Sequence, residues 1–119
     1  MVNAKDVLGM QGEDIAAEYL KSQGIEIIER NWRCSEGEID IVARDGRALV
    51  VCEVKTRSGL GRGGPLESVS RQKRSRLRRL AIRWVAANAV LYDEIRIDVI
   101  GVLRTPQGSF TVEHAPAVG

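Results

Sequence analysis

Two cysteines, Cys34 and Cys52, are all that this 119-residue chain carries. They are too few for a disulfide framework, and their spacing lacks the CxxC pairs of a zinc site. Both read as small buried or half-buried hydrophobes in a reducing compartment. Long apolar runs are missing too. The N-terminal stretch MVNAKDVLGMQGEDIAAEYL has no apolar core of signal-peptide length, and no run approaches a membrane span. A cytoplasmic chain without a membrane partner is the expectation. Repeats and low-complexity segments are absent. The one histidine, His114, stands alone near the C-terminus, which assigns it to the surface. The hydrophobic fraction of 44% and charged fraction of 29% are those of an ordinary globular protein. The length fits one domain spanning 1–119, with residues 1–10 and 114–119 as flexible ends.

The net charge of +2 conceals a strong asymmetry. From Lys55 to Arg83 there are ten Lys or Arg residues against one acid, Glu67, a local charge of +9. The remainder holds eight basic and fifteen acidic residues, a charge of −7. A local basic surface attracts polyanions whatever the total. Charge alone fits a solvated, Arg-rich helix face as well as a nucleic-acid surface.

Periodicity predicts a first helix over about 11–23, stopped by Gly24. Ile15, Ala16, Tyr19 and Leu20 form its apolar stripe, with Ala17 beside it. Glu13 lies near that inward face, which is unusual for a carboxylate. A first-turn acid favoured by the helix dipole is the plainer explanation. IEIIERNW is a strand by its β-branched content. Strands over about 37–44 and 47–57 follow, joined by Asp45-Gly46, a hairpin signal. The segment 58–65 is a Gly-rich loop without the Gly-Lys-Ser/Thr ending of a P-loop. A long helix is predicted from Leu66 to Asn88, with Leu66, Val69, Leu77, Leu80, Ala81, Trp84 and Val85 inward. Arg71, Arg76, Arg78, Arg79 and Arg83 lie outside that stripe. Lys73 falls on the apolar line, either snorkelling to the rim or facing a polar site at the sheet edge. Strands near 94–102 and 109–113 close an αβββαββ order, which predicts an α/β sandwich around a mixed sheet.

With Asp45 and Gly46 as a two-residue turn, Arg44 faces Arg47, Glu38 faces Glu53 and Asp40 faces Val51. Alternation then places Glu38, Asp40, Val51, Glu53 and Lys55 on one face, with Asp40 and Glu53 diagonal neighbours about 7–8 Å apart. A bulge would alter this register. Two carboxylates about 5 Å apart repel by roughly 3 kcal/mol at an effective dielectric near 20, so one is protonated or a cation neutralises them. Lys55 supplies one charge, and a hard divalent cation such as Mg2+ or Mn2+ would supply the rest. Glu-x-Lys alone arises by chance in roughly one chain of this length in three. Its placement on the apolar strand Val50-Val51-Cys52, opposite an Asp-bearing strand, is what makes it informative. The competing explanation is a structural ion-pair cluster.

Asp40 followed by Glu53-Val54-Lys55 resembles the PD-(D/E)xK signature of the restriction-endonuclease-like superfamily. More narrowly, the chain resembles the YraN-type family of small bacterial proteins. The resemblance rests on Gly12-Glu13, Ala17, Leu20, Gly24, Asn31, Arg33, Gly37-Glu38-Ile39-Asp40, Val51 through Arg57, Lys73 and Arg96-Ile97-Asp98-Val99, nearly the whole chain. Ile39 stands where the superfamily name has proline, and Cys52 where the family often has an aromatic residue. The resemblance implies a restriction-endonuclease-like α/β/α sandwich with a central mixed five-stranded sheet, and kinship with archaeal Holliday-junction resolvases. It also implies that Asp40 and Glu53 ligate the metal, with the Val54 carbonyl completing the shell. Lys55 would orient or activate the attacking water, and Glu13 would reach the metal through water.

Arg57, Lys73 and the helix arginines Arg71, Arg74 and Arg78 are the candidate phosphate contacts. Glu38 is left with two readings, an acid just outside the metal ligands or a partner of Arg57 or Lys73. Asp98 with Arg96 reads as an internal ion pair, and Trp32 and Trp84 as core residues. The expected function is a Mg2+- or Mn2+-dependent endonuclease on DNA rather than RNA, selective for branched or damaged structures. Its competitors are a nucleic-acid-binding module with little catalysis, and an accessory that works only with a protein partner. Resolvase kinship adds the expectation of a homodimer, since two symmetric cuts need two sites.

Overall fold

The computed structural model describes residues 3–58 and 69–117. In chain order it contains α1 (Ala4–Ser22), β1 (Glu26–Cys34), β2 (Gly37–Asp45), β3 (Ala48–Ser58), α2 (Arg71–Asn88), β4 (Glu94–Arg104) and β5 (Phe110–Ala115). The expected loop over 58–65 and the expected helix start at Leu66 fall, except for Ser58, outside the described residues.

The five strands form one sheet in chain order. All neighbours are antiparallel except β3 and β4, which are parallel. Antiparallel strands return through tight turns, whereas a parallel pair needs a long crossover, and α2 lies in that crossover. Each face of the sheet is covered by one helix. Ala16, Ala17 and Leu20 of α1 pack with Ile41, Ala43, Val50, Cys52, Ile100 and Val102. Leu77, Leu80, Ala81 and Trp84 of α2 pack with Ile39, Val42, Leu49, Val51 and Ile97. The result is a mixed α/β/α sandwich. Because β3 is covered on both faces, its run Ala48–Cys52 is buried throughout.

Local chemistry explains the boundaries. Asn3 caps α1 by accepting from the Asp6 N–H at 2.8 Å, so the helix begins at Ala4 and not near residue 11. At the other end Ile25 N–H reaches Leu20 O and Gly24 N–H reaches Lys21 O, with Gly24 at φ +80°, a Schellman close. Helix α2 starts later than periodicity predicts, because the Ser70 hydroxyl caps the Lys73 N–H at 3.1 Å and leaves Val69 outside the helix.

The β2–β3 turn also differs from expectation. Asp45 pairs with Ala48, so Gly46-Arg47 makes the turn instead of Asp45-Gly46. Gly46, at φ +60°, takes the first central position, as in a type II′ hairpin. Every pairing moves by two: Arg44 faces Leu49 and Ile41 faces Cys52.

A candidate metal centre at a split in the sheet

Strand β2 pairs with β3 only from Ile41 onward, although β2 begins at Gly37 and β3 runs on to Ser58. Residues 37–39 stay paired with β1, while 53–58 stay paired with β4. The sheet therefore splits beyond the Ile41–Cys52 pair. Side-chain alternation breaks at the same place. Ile41 and Ala43 pack on the α1 side, but Ile39 packs on the α2 side. In the paired strand, Arg30 bonds to α1 whereas Trp32 packs on the α2 side, and Asn31 between them has φ +55°. Asparagine is among the few residues that tolerate this left-handed conformation, and here it turns the end of the β1–β2 hairpin off the sheet.

Asp40 sits at the fork, where its carboxylate accepts from the Val54 N–H at 2.8 Å. The side chain thus substitutes for the missing ladder and satisfies a backbone donor. In extended backbone a residue's N–H and C=O point the same way, so the Val54 carbonyl faces the gap as well. Glu53, next on β3, projects to the α2 side with Lys55. Its carboxylate is 12% exposed, and one oxygen, Oε1, receives both Lys73 Nζ at 2.8 Å and Lys55 Nζ at 3.3 Å. Lys73 therefore faces a polar site and does not merely snorkel.

The electrostatics follow from that arrangement. Burial first, and the Glu53 charge second, push the Asp40 carboxyl up to about 7. The Val54 N–H opposes them, while Glu13 and Glu38 add to the rise. Burial and the neighbouring Lys73 ammonium lower Lys55, with Glu53 pulling against them. Burial also acts to lower Lys73, but its bond to Glu53 leaves it raised overall.

Glu13 and Glu38 occupy the α1 side of the fork. With Asp40, Asn31, Arg33 and Thr56 they line a cleft of about 450 Å³. Glu13 is held by Arg30 Nε and Asn31 Nδ2, each 2.9 Å from the same oxygen. Glu38 pairs with Arg33 at 3.0 Å, and not with Arg57 or Lys73. The expectation of Glu38, Asp40, Glu53 and Lys55 on one face is thus corrected: β2 changes face at Asp40, and the acids approach from both sides.

No three carboxylate, imidazole or thiol side chains converge as a ready-made metal cage among the described residues. Two carboxylates, one carbonyl and room for water nevertheless match the preference of Mg2+, which uses few protein ligands and keeps its waters.

The candidate phosphate contacts separate by position. Arg57 is half-buried on β3, on the face of Glu53 and Lys55, and Arg74 is half-buried on α2. Arg71 and Arg78 are exposed along α2 with Arg76 and Arg79. Helix α2 carries seven cations and no acid, whereas α1 carries four acids against two lysines. The split is therefore walled by positive charge on one side and negative charge on the other.

A second polar cluster extends well beyond the Arg96–Asp98 pair. Asp98 is fully buried and binds Arg96 through both carboxylate oxygens, at 2.9 and 3.1 Å. It also accepts from His114 Nε2 at 2.7 Å and from the Ala117 N–H at 3.0 Å. His114 Nδ1 lies 3.0 Å from the Tyr19 hydroxyl. The surface assignment of His114 is thus corrected: it is 13% exposed and ties β5 to α1 and β4. The Arg96–Asp98 pair is as read, and both tryptophans join the α2-side core. Nothing local marks His114, whose two partners lie 16 and 95 residues away.

Comparison with known proteins places these features in a family. Residues 12–102 match the model of the uncharacterised protein family UPF0102. A UPF0102 protein of Beutenbergia cavernae is 53% identical over 118 residues, 99% of this chain and 100% of that protein. One from Nocardioides sp. is 53% identical over 115 residues, 97% of this chain and 93% of its own. The chain belongs to UPF0102. Among the described residues no helix is long and apolar enough to cross a membrane.

Proposed function

We propose that this UPF0102 protein is a divalent-metal-dependent nuclease of restriction-endonuclease-like type, acting on DNA at the split between β2 and β3. The observation that carries the reading is the meeting of Asp40 and Glu53 at the fork, beside Lys55 and Lys73 and below the cationic helix α2. Asp40, Glu53 and the Val54 carbonyl would hold Mg2+ or Mn2+. When bound, the cation would offset charge developing on a phosphodiester and acidify water in its shell.

The chain's own residues would do the rest. Lys55, half-buried and lowered by its surroundings, would orient the attacking water and face the developing oxyanion. Glu13, held by Arg30 and Asn31, would order water on the α1 side. Arg57, Arg71, Arg74 and Arg78 would take phosphates, so the polyanion would lie along α2 and avoid the acidic α1 wall. Glu38, tied to Arg33, would shape the cleft without touching metal.

A second reading has an observation in its favour. Glu53 is already neutralised by two lysines, and Glu13 is paired with Arg30 and hydrogen-bonded by Asn31, as suits a module that binds nucleic acid without cleaving it, alone or beside a protein partner.

Labelled single-stranded, duplex, flap and four-way-junction DNA, incubated with Mg2+, Mn2+ or EDTA, separates the two. Metal-dependent cleavage that falls by about 1,000-fold or more in Asp40→Ala/Glu53→Ala is expected. Binding without cleavage, unchanged in the double variant, would overturn the nuclease reading.

A further inference from the structure

We infer that Lys73 is the resident counter-ion of Glu53, which an incoming divalent cation must displace, and that its freed ammonium then serves the phosphate of the substrate. The inference rests on the metal-dependent reading of the same site.

Three observations carry it. Lys73 and Lys55 share one oxygen, Glu53 Oε1, with Lys73 the nearer at 2.8 Å. A divalent cation ligated by Glu53 is repelled by both ammoniums, most by Lys73, the nearer to the carboxylate. Next, Lys73 stands in the first turn of α2, three residues after the Ser70 cap. That turn contains no acid, and a cation there opposes the positive end of the helix dipole. The helix does not favour an ammonium at this point, so Glu53 accounts for its place. Finally, the two lysines come from different supports. Lys55 is on β3, two residues from Glu53, where its backbone is paired with the parallel β4. Lys73 reaches Glu53 across the gap from α2 on a flexible four-carbon stem. It can swing towards the arginine surface without moving the backbone.

Lys73 is on this account a positioning residue with two states. In the metal-free state it compensates Glu53 and keeps the buried carboxylates tolerable. In the loaded state one divalent charge replaces its single charge, and the ammonium adds a phosphate contact at the cleft mouth.

Calorimetric titration of Mn2+ into wild type, Lys73→Met and Lys73→Arg tests this without turnover. Methionine keeps the stem and removes the charge, so Mn2+ affinity should rise about 3- to 30-fold. Arginine, which retains a cation, should leave it within about twofold of wild type. With Ca2+ present, Lys73→Met should bind duplex DNA about 3- to 10-fold more weakly, with a salt slope lower by roughly one ion. Unchanged or weaker Mn2+ binding in Lys73→Met, against measurable binding by wild type, would overturn the displacement role while leaving the metal reading intact. No Mn2+ binding by wild type or either variant at millimolar concentration would overturn both.

Discussion

Replacing Asp40 by asparagine should stabilise the metal-free protein above neutral pH and lose that benefit in acid. Among the described residues, the hydrogen bond to the Asp40 carboxylate comes from the Val54 N–H, while Glu53, Glu13 and Glu38 all oppose its charge. Its carboxyl therefore titrates near 7 in the folded protein, against about 4 in an unfolded chain. Between those values the native state binds more protons than the unfolded state, so stability falls as pH rises from about 4 to about 7 and stays low above it. Three pH decades of differential binding set a ceiling of about 4 kcal/mol. The lysines at Glu53 and relaxation of the fork reduce it, and a gain of about 1–3 kcal/mol at pH 8.5 is expected for Asp40→Asn. The asparagine carbonyl can still accept from Val54, so the fork keeps its hydrogen bond.

Urea unfolding in EDTA, followed through the fluorescence of buried Trp84, reads the difference directly. The variant should exceed wild type at pH 8.5, and by only about a third of that margin at pH 5. Millimolar Mg2+ should raise wild type at pH 8.5 by mass action and leave the variant unmoved. An equal margin at both pH values, or a variant less stable at pH 8.5, would refute the assignment of Asp40 as the strained charge.

Two other substitutions probe the supports of the site. Gly12 packs α1 against β3, and a Cβ there would lie 2.8 Å from Thr56 Cβ and closer to its branches. Gly12→Ala should cost about 1–3 kcal/mol through overpacking, against a helix-propensity gain of about 1 kcal/mol. Gly9 has open space within 4 Å of where a methyl would stand, and should gain about 0.5–1 kcal/mol as alanine. Thermal melts that rank the two alike would refute the close approach. Asp98→Ala removes the buried acceptor of Arg96, His114 and the Ala117 N–H and should cost about 3–5 kcal/mol in urea. A loss below about 1 kcal/mol would show that Asp45, which accepts from Arg96 at 3.0 Å, suffices as its partner.

What the sequence makes legible depends on the range of the interactions. Both helices, five strands and their order follow from periodicity, because the apolar stripes of α1 and α2 and the buried run of β3 are local patterns. The meeting of Asp40 with the Glu53 strand is legible through the hairpin. The turn itself sits one residue from its expected place, since Asp45-Gly46 and Gly46-Arg47 both suit a two-residue loop. The flip of β2 at Asp40 is not legible. It depends on a positive φ at Asn31, one strand away, and on bonds from Arg30 and Asn31 to α1. His114 escapes notice for the same reason: its partners are distant in sequence.

The corrected register changes what the fold accomplishes. In the expected pairing Asp40 would face Val51, with Glu53 only a diagonal neighbour and the sheet continuous beside them. A continuous sheet would spend the Val54 N–H and carbonyl on ladder bonds and leave no gap for an ion. The observed pairing ends at Ile41–Cys52, so the next two residues, Asp40 and Glu53, meet where the strands part. Glu53 and Lys55 are held by the parallel β3–β4 pair. Asp40 arrives on the β1–β2 hairpin, whose tilt is set by Asn31 and Glu13. The site is thus assembled from two stiff pieces, and beyond the Ile41–Cys52 pair the Val54 N–H bridges them by donating to Asp40. That construction explains how a chain of 119 residues can place acids on a buried strand. The split opens beside their carboxylates while their backbones stay inside the sheet, and lysines from β3 and α2 offset the charge of Glu53.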